Sequence, residues 1–444
     1  MKILVSDPLS EEGLEILRKE EGVEVEVAGK LTREELKEKI KDAEALIVRS
    51  GTKVTRDLIE AGKKLKVIGR AGVGVDNVDV EAATENGIIV MNSPGANTIS
   101  TAEHTVALLL ALSRKIPNAY LSLKEGKWER KRFKGVEVNG KVLGIIGLGR
   151  IGAEVAKRVQ ALGMRTLAYD PFLSPERAER WKVELTELKA LLGRSDYITV
   201  HTPLTEETRH LIGSEEFKLM KDGVRLINCA RGGIIDEKAL YEAMKSGKVA
   251  GAALDVYEQE PPENNPLVQL DNLVATPHIG AATEEAQRNV AIEIAHQVVD
   301  ALQGRTLRNA VNVPSIEPEV YEKIKPYFDL AERLGCLQSQ LLKGRIITVR
   351  VRYSGEIIAY DLAPITTAIL KGLLEPVLKE AVNYVNAPVI ARERDIRVVE
   401  TKSDTLEDFA SLIYLEVEST RTKGSVAGTL FNRRDPRIVR LDGF

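Results

Sequence analysis

Residues 141–170 read KVLGIIGLGRIGAEVAKRVQALGMRTLAYD, and the fold is decided there. Val142 to Ile146 is a short apolar run, suited to a strand buried on both faces. Gly147-Leu148-Gly149-Arg150-Ile151-Gly152 follows at once. Ile151, Val155, Ala156, Val159 and Leu162 then recur at helical spacing, and Gly163 stands where such a helix stops. Thr166 to Tyr169 reads as a second strand with Asp170 at its end. The glycines differ in what they permit. Gly147 allows the tight turn, Gly149 lets the backbone approach a pyrophosphate, and Gly152 lets the helix pack on the strand. The helix N-terminus offers free N–H groups and a positive dipole end to the phosphates. Asp170 lies 18 residues after Gly152, close to the usual ~20. A carboxylate there accepts the ribose hydroxyls and repels a 2′-phosphate. The stretch therefore predicts a dinucleotide site for NAD rather than NADP.

The rest of the composition bounds the context. A chain of 444 residues has room for two or three domains. Hydrophobic content of 43% and charge of 29% fit a soluble globular protein. A net charge of −3 and a pI near 6.1 argue against a nucleic-acid partner or an anionic membrane surface. Cys229 and Cys336 give neither a disulfide framework nor a metal-ligand spacing, so no metal is expected and a reducing cytoplasm is. MKILVSDPLS begins as a strand without a signal-peptide core, and apolar runs such as Val106 to Leu112 are too short to span a bilayer.

Outward from the glycine loop, strands and helices alternate. Before it, Lys2–Val5, Val23–Val27, Ala45–Val48, Lys66–Ile68 and Ile88–Met91 read as strands. Thr32 with Glu35 forms a capping box for one intervening helix, and Asn86-Gly87 ends another. Gly72-Val73-Gly74 lacks a third glycine and a following acid, so it reads as an anion-holding turn and not a second NAD site. Residues 98–126 read as one long helical stretch, followed by the basic loop Trp128-Glu129-Arg130-Lys131-Arg132-Phe133. After the glycine loop, Tyr197–Val200, Arg225–Asn228, Gly251–Leu254 and Leu273–Ala275 continue the strands, and Glu284–Gln303 is a long helix returning to the first domain. Asn309–Pro318 reads as a linker. Beyond it come a helix near Val320–Leu342, a strand at Ile346–Tyr353, helices over about 364–385, and strands at Arg397–Thr401, Tyr414–Ser419, Ser425–Phe431 and Arg437–Leu441.

The expected class is α/β: two doubly wound parallel-sheet domains, the first discontinuous, plus a C-terminal α+β domain. The expected boundaries are 1–97 with 285–312, then 98–284 for the nucleotide domain, then 313–444.

A nicotinamide enzyme needs a group that moves a proton as the hydride moves. Of five histidines, His104, His210 and His296 read as structural, and His201 opens a turn whose neighbours can touch cofactor. His278 lies just past a strand end, where ligands bind in such sheets, and is the best acid/base candidate. It needs a carboxylate partner, and Asp255, Glu258 and Glu260 remain alternatives by spacing. Arg231, after another strand end, is suited to grip a substrate carboxylate.

GLGRIG, YDP, HTP, NCARGG, ALDVYEQEPP and TPHIGAAT, in this order, resemble the D-isomer-specific 2-hydroxyacid dehydrogenase family over residues 1 to about 312. IVRSGTKVT, GRAGVGVDNVD and KWERKRFKG narrow the resemblance to the branch that oxidises D-3-phosphoglycerate at the start of serine synthesis. The resemblance implies a catalytic set of Arg231, Glu260 and His278, and selects Glu260 as the partner of His278. It implies cofactor contacts at Gly147, Gly149, Arg150, Ile151, Gly152, Asp170, Thr202, Cys229, Ala230, Asp255 and Gly280, with Val73 in the glycine turn. It implies that Arg231 and the turn at Gly74 hold the substrate carboxylate. For the substrate phosphate the cations assigned are Arg49 and Arg70, with Asn97 nearby and Arg130 or Arg132 reaching in from a partner subunit of a homodimer or homotetramer.

The domain after the core resembles an additional regulatory, substrate-binding domain of the long forms. Those forms continue past a stretch like Arg437–Phe444 into a small serine-binding ACT domain, which this sequence is expected to lack. Two other functions compete. A family member acting on glyoxylate or hydroxypyruvate is disfavoured by the phosphate-side arginines. A dehydrogenase-like co-repressor that senses NAD is disfavoured by the acidic charge and the third domain.

Overall fold

In the computed structural model, which describes residues 1–29, 31–305, 307–313, 318–378, 382–403 and 409–444, the alternating apolar runs resolve into three sheets. β1 (Lys2–Val5), β2 (Glu24–Val27), β3 (Ala45–Val48), β4 (Val67–Arg70) and β5 (Ile89–Asn92) form the first, all parallel, in the order β2-β1-β3-β4-β5. Central β3 reads ALIV and is buried throughout, as a strand covered on both faces must be. At the edge, β2 reads EVEV, with Glu24 exposed and the half-buried Glu26 paired with Lys2 and Lys39. The capping box forms as expected: the Thr32 N–H donates to Glu35 at 2.8 Å, and the Glu35 N–H to the Thr32 hydroxyl at 3.3 Å.

One expected linker is partly structural. Residues 309–312 run antiparallel beside β5, with Val311 N–H on Val90 O at 2.7 Å and Val90 N–H on the Asn312 side chain at 2.8 Å. They cover an edge that would otherwise expose unpaired backbone groups. Residues 314–317 of that stretch lie outside the described residues.

The second sheet holds β6 (Val142–Ile146), β7 (Arg165–Tyr169), β8 (Glu184–Leu185), β9 (Tyr197–Val200), β10 (Val224–Asn228), β11 (Val249–Leu254) and β12 (Leu273–Ala275). Its order is β12-β11-β10-β9-β6-β7-β8, all parallel. Strand order reverses between β6 and β9, the crevice where a doubly wound sheet takes its ligand. The short edge strand β8 is absent from the sequence reading. The helix Arg150–Ala161 ends at Leu162, and Gly163 follows at φ 80°, the left-handed conformation glycine tolerates.

The single helix read over 98–126 is two. Thr98–Arg114 stops at Lys115, which takes φ 55°, and Ile116–Lys124 restarts with Pro117 in its first turn. Proline has no N–H to continue the earlier helix and a φ suited to a new start.

The chain divides into two compact units, residues 1–94 with 290–444, and residues 95–289. The sequence places these breaks at 97/98 and 284/285. The helix Glu284–Leu302 passes from the second unit into the first, where Ala291 packs on Gly13, and Ile294 and Val298 pack on Gly69.

The first unit also contains the third sheet, with order β14-β13-β15-β16-β17, from β13 (Ile346–Gly355), β14 (Arg397–Ser403), β15 (Ser411–Ser419), β16 (Lys423–Phe431) and β17 (Asp435–Leu441). β14 is parallel to β13 and the other pairs are antiparallel. Helices Pro318–Leu341 and Ala363–Leu378 accompany this sheet, and a short helix, Ala387–Glu393, follows. The helical stretch read to about 385 is helix to Leu378, and residues 379–381 lie outside the described residues. The two long helices touch backbone to backbone. A Cβ on Gly335 would overlap Ile369 O, and one on Gly372 would overlap Glu332 O.

That crossing yields a stability test. Gly372→Ala is expected to force the helices apart and destabilise this unit by about 1–3 kcal/mol. The check is the denaturant midpoint of the full chain by circular dichroism, and an unchanged midpoint refutes the close crossing.

Candidate active site

Three neighbouring parallel strands, β10, β11 and β12, end on the same side of their sheet, so the loops that leave them are neighbours too. Asn228 closes β10 and shapes the first loop: its side-chain oxygen accepts the Ala230 N–H at 2.9 Å, and its NH2 donates to Arg231 O at 2.8 Å. The half-buried Arg231 donates back to Ala230 O at 2.7 Å. Gly232 lies so close to the second loop that a Cβ would overlap Tyr257 O, which is why a glycine follows this arginine.

The geometry decides among the three carboxylates that spacing left open. Glu260 Oε2 is 2.7 Å from His278 Nδ1, and Glu260 Oε1 accepts the Tyr257 N–H at 3.1 Å. Glu258 instead meets His210 Nε2 at 3.2 Å. Asp255 is buried and turned to the third loop: its oxygens accept Ile279 N–H at 2.9 Å, Gly280 N–H at 2.8 Å and the Thr276 hydroxyl at 2.6 Å. With Nδ1–H given to Glu260, Nε2 of His278 is the atom left to exchange a proton.

Sequence reasoning missed three members of this cluster. His104, read as structural, places Nε2 3.2 Å from Asp255 Oδ1 and 3.2 Å from Thr276 Oγ1. Thr276 enters the sequence reading only within TPHIGAAT. The Tyr257 hydroxyl, also unforeseen, donates to Leu254 O at 3.2 Å and Thr276 O at 3.1 Å. No local signal marks His104, which is 151 residues from Asp255. His210 stays in its surface pairing with Glu258, and His296 is exposed.

The hydrogen bond to Glu260 raises the His278 imidazole above its ordinary value, against burial, and the Arg231 charge acts in the lowering sense. Burial alone would raise the Glu260 carboxyl, but the bond and charge of His278 leave it lowered. Burial likewise opposes ionisation of Asp255, and is outweighed by hydrogen bonds from His104, Thr276 and the two backbone N–H groups. Burial pushes His201 down to about 4 and the Cys229 thiol up to about 12, so neither serves as acid, base or nucleophile near neutral pH.

The glycine loop fits a dinucleotide. Gly147 sits at φ 90°, and a Cβ on it would stand 2.8 Å from His201 O. A Cβ on Gly152 would overlap Gly147 O, so helix and loop meet at backbone distance. Gly149 faces open space, leaving the backbone approachable ahead of Arg150 and Ile151. Beside the loop, the Thr202 hydroxyl and His201 Nδ1 are buried without a partner, donor and acceptor capacity of the kind a ligand satisfies. Asp170 accepts Leu148 N–H at 2.9 Å and Phe172 N–H at 3.0 Å, which fixes its carboxylate at the end of β7.

In the first unit, Arg70 ends β4 opposite Val48, and Arg49 comes next after that residue, so two cations share one sheet end. Arg49 is anchored through its N–H on Asp7 at 2.6 Å. The Arg70 guanidinium lies over Gly72, whose φ is 151°, and a Cβ there would collide with it. Val73 follows, its carbonyl held by Asn92, and then Gly74. In the second unit, Asn97 precedes the helix Thr98–Arg114 with its side-chain oxygen buried and unpartnered. Arg130 is exposed, while Arg132 pairs within its own chain with Glu129 and Asp271, each at 3.3 Å. Among the described residues no side-chain cluster could hold a metal ion, and no helix is long and apolar enough to cross a membrane.

Residues 106–280 match the family described as D-isomer specific 2-hydroxyacid dehydrogenase, NAD binding domain. Residues 323–442 match the D-3-phosphoglycerate dehydrogenase intervening domain. Over its whole length the chain is 54% identical to a D-3-phosphoglycerate dehydrogenase of Methanocaldococcus jannaschii, and 54% identical to one of Archaeoglobus fulgidus, covering 84% of each. Its fold is similar to the crystal structure of a D-lactate dehydrogenase of Aquifex aeolicus complexed with NAD and lactic acid, with a TM-score of 0.61 and 31% identity over 71% of this chain and 100% of the other.

Asp170 gives the cofactor test. Asp170→Ala is expected to weaken NADH binding about 10-fold, as loss of hydrogen bonds to a charged group does. It should also narrow the preference over NADPH. Fluorescence titration with both nucleotides checks this, and unchanged NADH affinity refutes the assignment.

Proposed function

This chain belongs to the D-3-phosphoglycerate dehydrogenases of the D-isomer specific 2-hydroxyacid dehydrogenase family, and we infer that it oxidises D-3-phosphoglycerate to 3-phosphohydroxypyruvate with NAD, the first step of serine biosynthesis. The observation that carries the reading is the 2.7 Å pairing of His278 Nδ1 with Glu260 in a loop next to Arg231.

Arg231 grips the substrate carboxylate, which fixes the C2 carbon. His278 Nε2 then takes the C2 hydroxyl proton as the C2 hydrogen leaves with its electron pair. Bound NAD supplies the acceptor for that hydride. Glu260 stabilises the imidazolium that forms, holding its Nδ1–H and orienting the ring. In the reverse direction protonated His278 returns the proton. The backbone at Gly147, Gly149 and Gly152, the start of the helix at Arg150 and Ile151, and the Asp170 carboxylate hold the pyrophosphate and ribose. Thr202, Cys229, Ala230, Asp255, Gly280 and Val73 complete the cofactor contacts.

For the substrate phosphate we assign Arg49 and Arg70, with Asn97, and Gly74 for the carboxylate. Arg130 or Arg132 reaches toward that phosphate from the partner subunit of a homodimer or homotetramer. Self-association is supported by Ile116, Tyr120, Leu121, Leu123 and Trp128, which stand exposed on and beside one short helix. The third sheet is assigned as the regulatory, substrate-binding-like domain. Two free cysteines fit a cytoplasmic location, and the net charge of −3 argues against a nucleic-acid partner.

The reading is tested by following NADH absorbance with 3-phosphoglycerate, glycerate and lactate. Turnover is expected chiefly with the phosphorylated acid, and equal rates with glycerate refute it. His278→Ala should cost about 10²–10⁴-fold in kcat while sparing NADH binding. Arg49→Ala should raise KM for 3-phosphoglycerate with kcat little changed.

The pH profile carries a sign. His278 accepts a proton only when neutral, and its pKa is raised above the ordinary 6.5, so oxidation gains rate as pH climbs through a value above 6.5. Glu260→Gln removes the first cause of that rise. It should move the limb toward lower pH and lower the plateau, and a limb that stays put removes Glu260 from the mechanism.

A further inference from the structure

We propose that His104 is a positioning residue for His278, acting through Asp255. The inference rests on the reading of His278 as the acid/base.

The backbone at His278 takes φ 52°, the left-handed region that non-glycine residues rarely occupy. Such a conformation persists only when the surroundings over-determine it. Here one carboxylate does so. Asp255 Oδ1 accepts Thr276 Oγ1–H at 2.6 Å and Ile279 N–H at 2.9 Å, and Oδ2 accepts Gly280 N–H at 2.8 Å. These donors flank His278 on both sides in the chain. The loop carrying the imidazole is therefore wrapped around a single buried anion, whose side chain is 1% exposed.

That anion has one further donor, and it comes from another element. His104, on the helix Thr98–Arg114, stands 3.2 Å from both Asp255 Oδ1 and Thr276 Oγ1. The Asp255 carboxylate only accepts and the Thr276 hydroxyl already gives its hydrogen to it, so Nε2 carries a hydrogen and His104 donates to the pair. The donation reaches the oxygen that already takes Thr276 and Ile279, and aims it. A carboxylate held from one side only is free to rock about its Cβ–Cγ bond. Held by the helix as well, it presents fixed acceptors to Ile279 and Gly280, and the left-handed turn keeps one setting. The hydrogen bonds of His104 go to Asp255 and Thr276 and that of His278 to Glu260, so the effect of His104 passes through Asp255.

The test uses the full-length enzyme. His104→Leu fills the same space without a donor. It is expected to lower kcat about 10-fold, short of the ~10²-fold that a 1 Å misplacement brings, with KM for 3-phosphoglycerate within about twofold of the parent. His104→Gln offers an N–H near the position of Nε2, and is expected to recover most of the rate. A His104→Leu enzyme with the parent kcat overturns the proposal. So does a Gln variant as slow as the Leu variant, or a loss that appears only alongside a lowered melting temperature. The two readings separate cleanly. An active His278→Ala enzyme overturns the catalytic assignment itself, whereas an inactive one beside a normal His104→Leu enzyme overturns only the role of His104.

Discussion

The 2.7 Å hydrogen bond between His278 Nδ1 and Glu260 is the interaction on which the proposed chemistry depends. It fixes the tautomer, leaves Nε2 available, and raises the basicity of the ring. None of this needs a large energy from the pair. Both side chains are partly in water, where an ion pair contributes little to stability. Its value lies in orientation, and orientation is inherited from the sheet. β11 and β12 lie side by side in parallel register, so the loops holding Glu260 and His278 leave adjacent strand ends. A slip of one residue in either strand would turn each side chain to the other face.

The same reliance on backbone proximity recurs away from the site. Gly232 against Tyr257, Gly152 against Gly147, and Gly335 and Gly372 against the facing helix are places where a side chain is missing because a carbonyl stands there. The first two tie loop to loop and helix to loop around the dinucleotide site. The last two belong to the third sheet's helices, where they set how closely these can cross. Within that unit, Asn383 donates to Gly87 O at 2.8 Å, joining the third sheet's domain to the turn before β5.

Features that were legible in the sequence share one property: their cause is local. The glycine loop, the Thr32–Glu35 capping box and the stop at Gly163 each rest on residues within one or two turns of each other, and Asp170 at the end of β7 belongs to the same strand–helix–strand unit, 18 residues after Gly152. Pro117 was equally local, and a break near Lys115 was there to be read. What stayed hidden is non-local. Residues 309–312 look like a linker because nothing nearby shows that β5 will lie beside them, over 200 residues earlier in the chain. His104 looked structural because its partners, Asp255 and Thr276, come more than 150 residues later. Composition and periodicity hold no trace of such meetings.

The choice among Asp255, Glu258 and Glu260 shows why spacing was silent. The three acids fall within six residues, yet their neighbours assign them different work. Asp255, 1% exposed, is surrounded by donors, so its charge is committed chiefly to holding a loop. Glu258 faces His210 and the Glu237 N–H at the surface. Glu260, 37% exposed, has one backbone donor and one imidazole. In the proposed reaction only the last can strengthen its interaction when the imidazole gains charge, because only its partner changes charge. An acid behind a catalytic base must be under-committed in this sense, and commitment is a count of donors in space that no linear interval records.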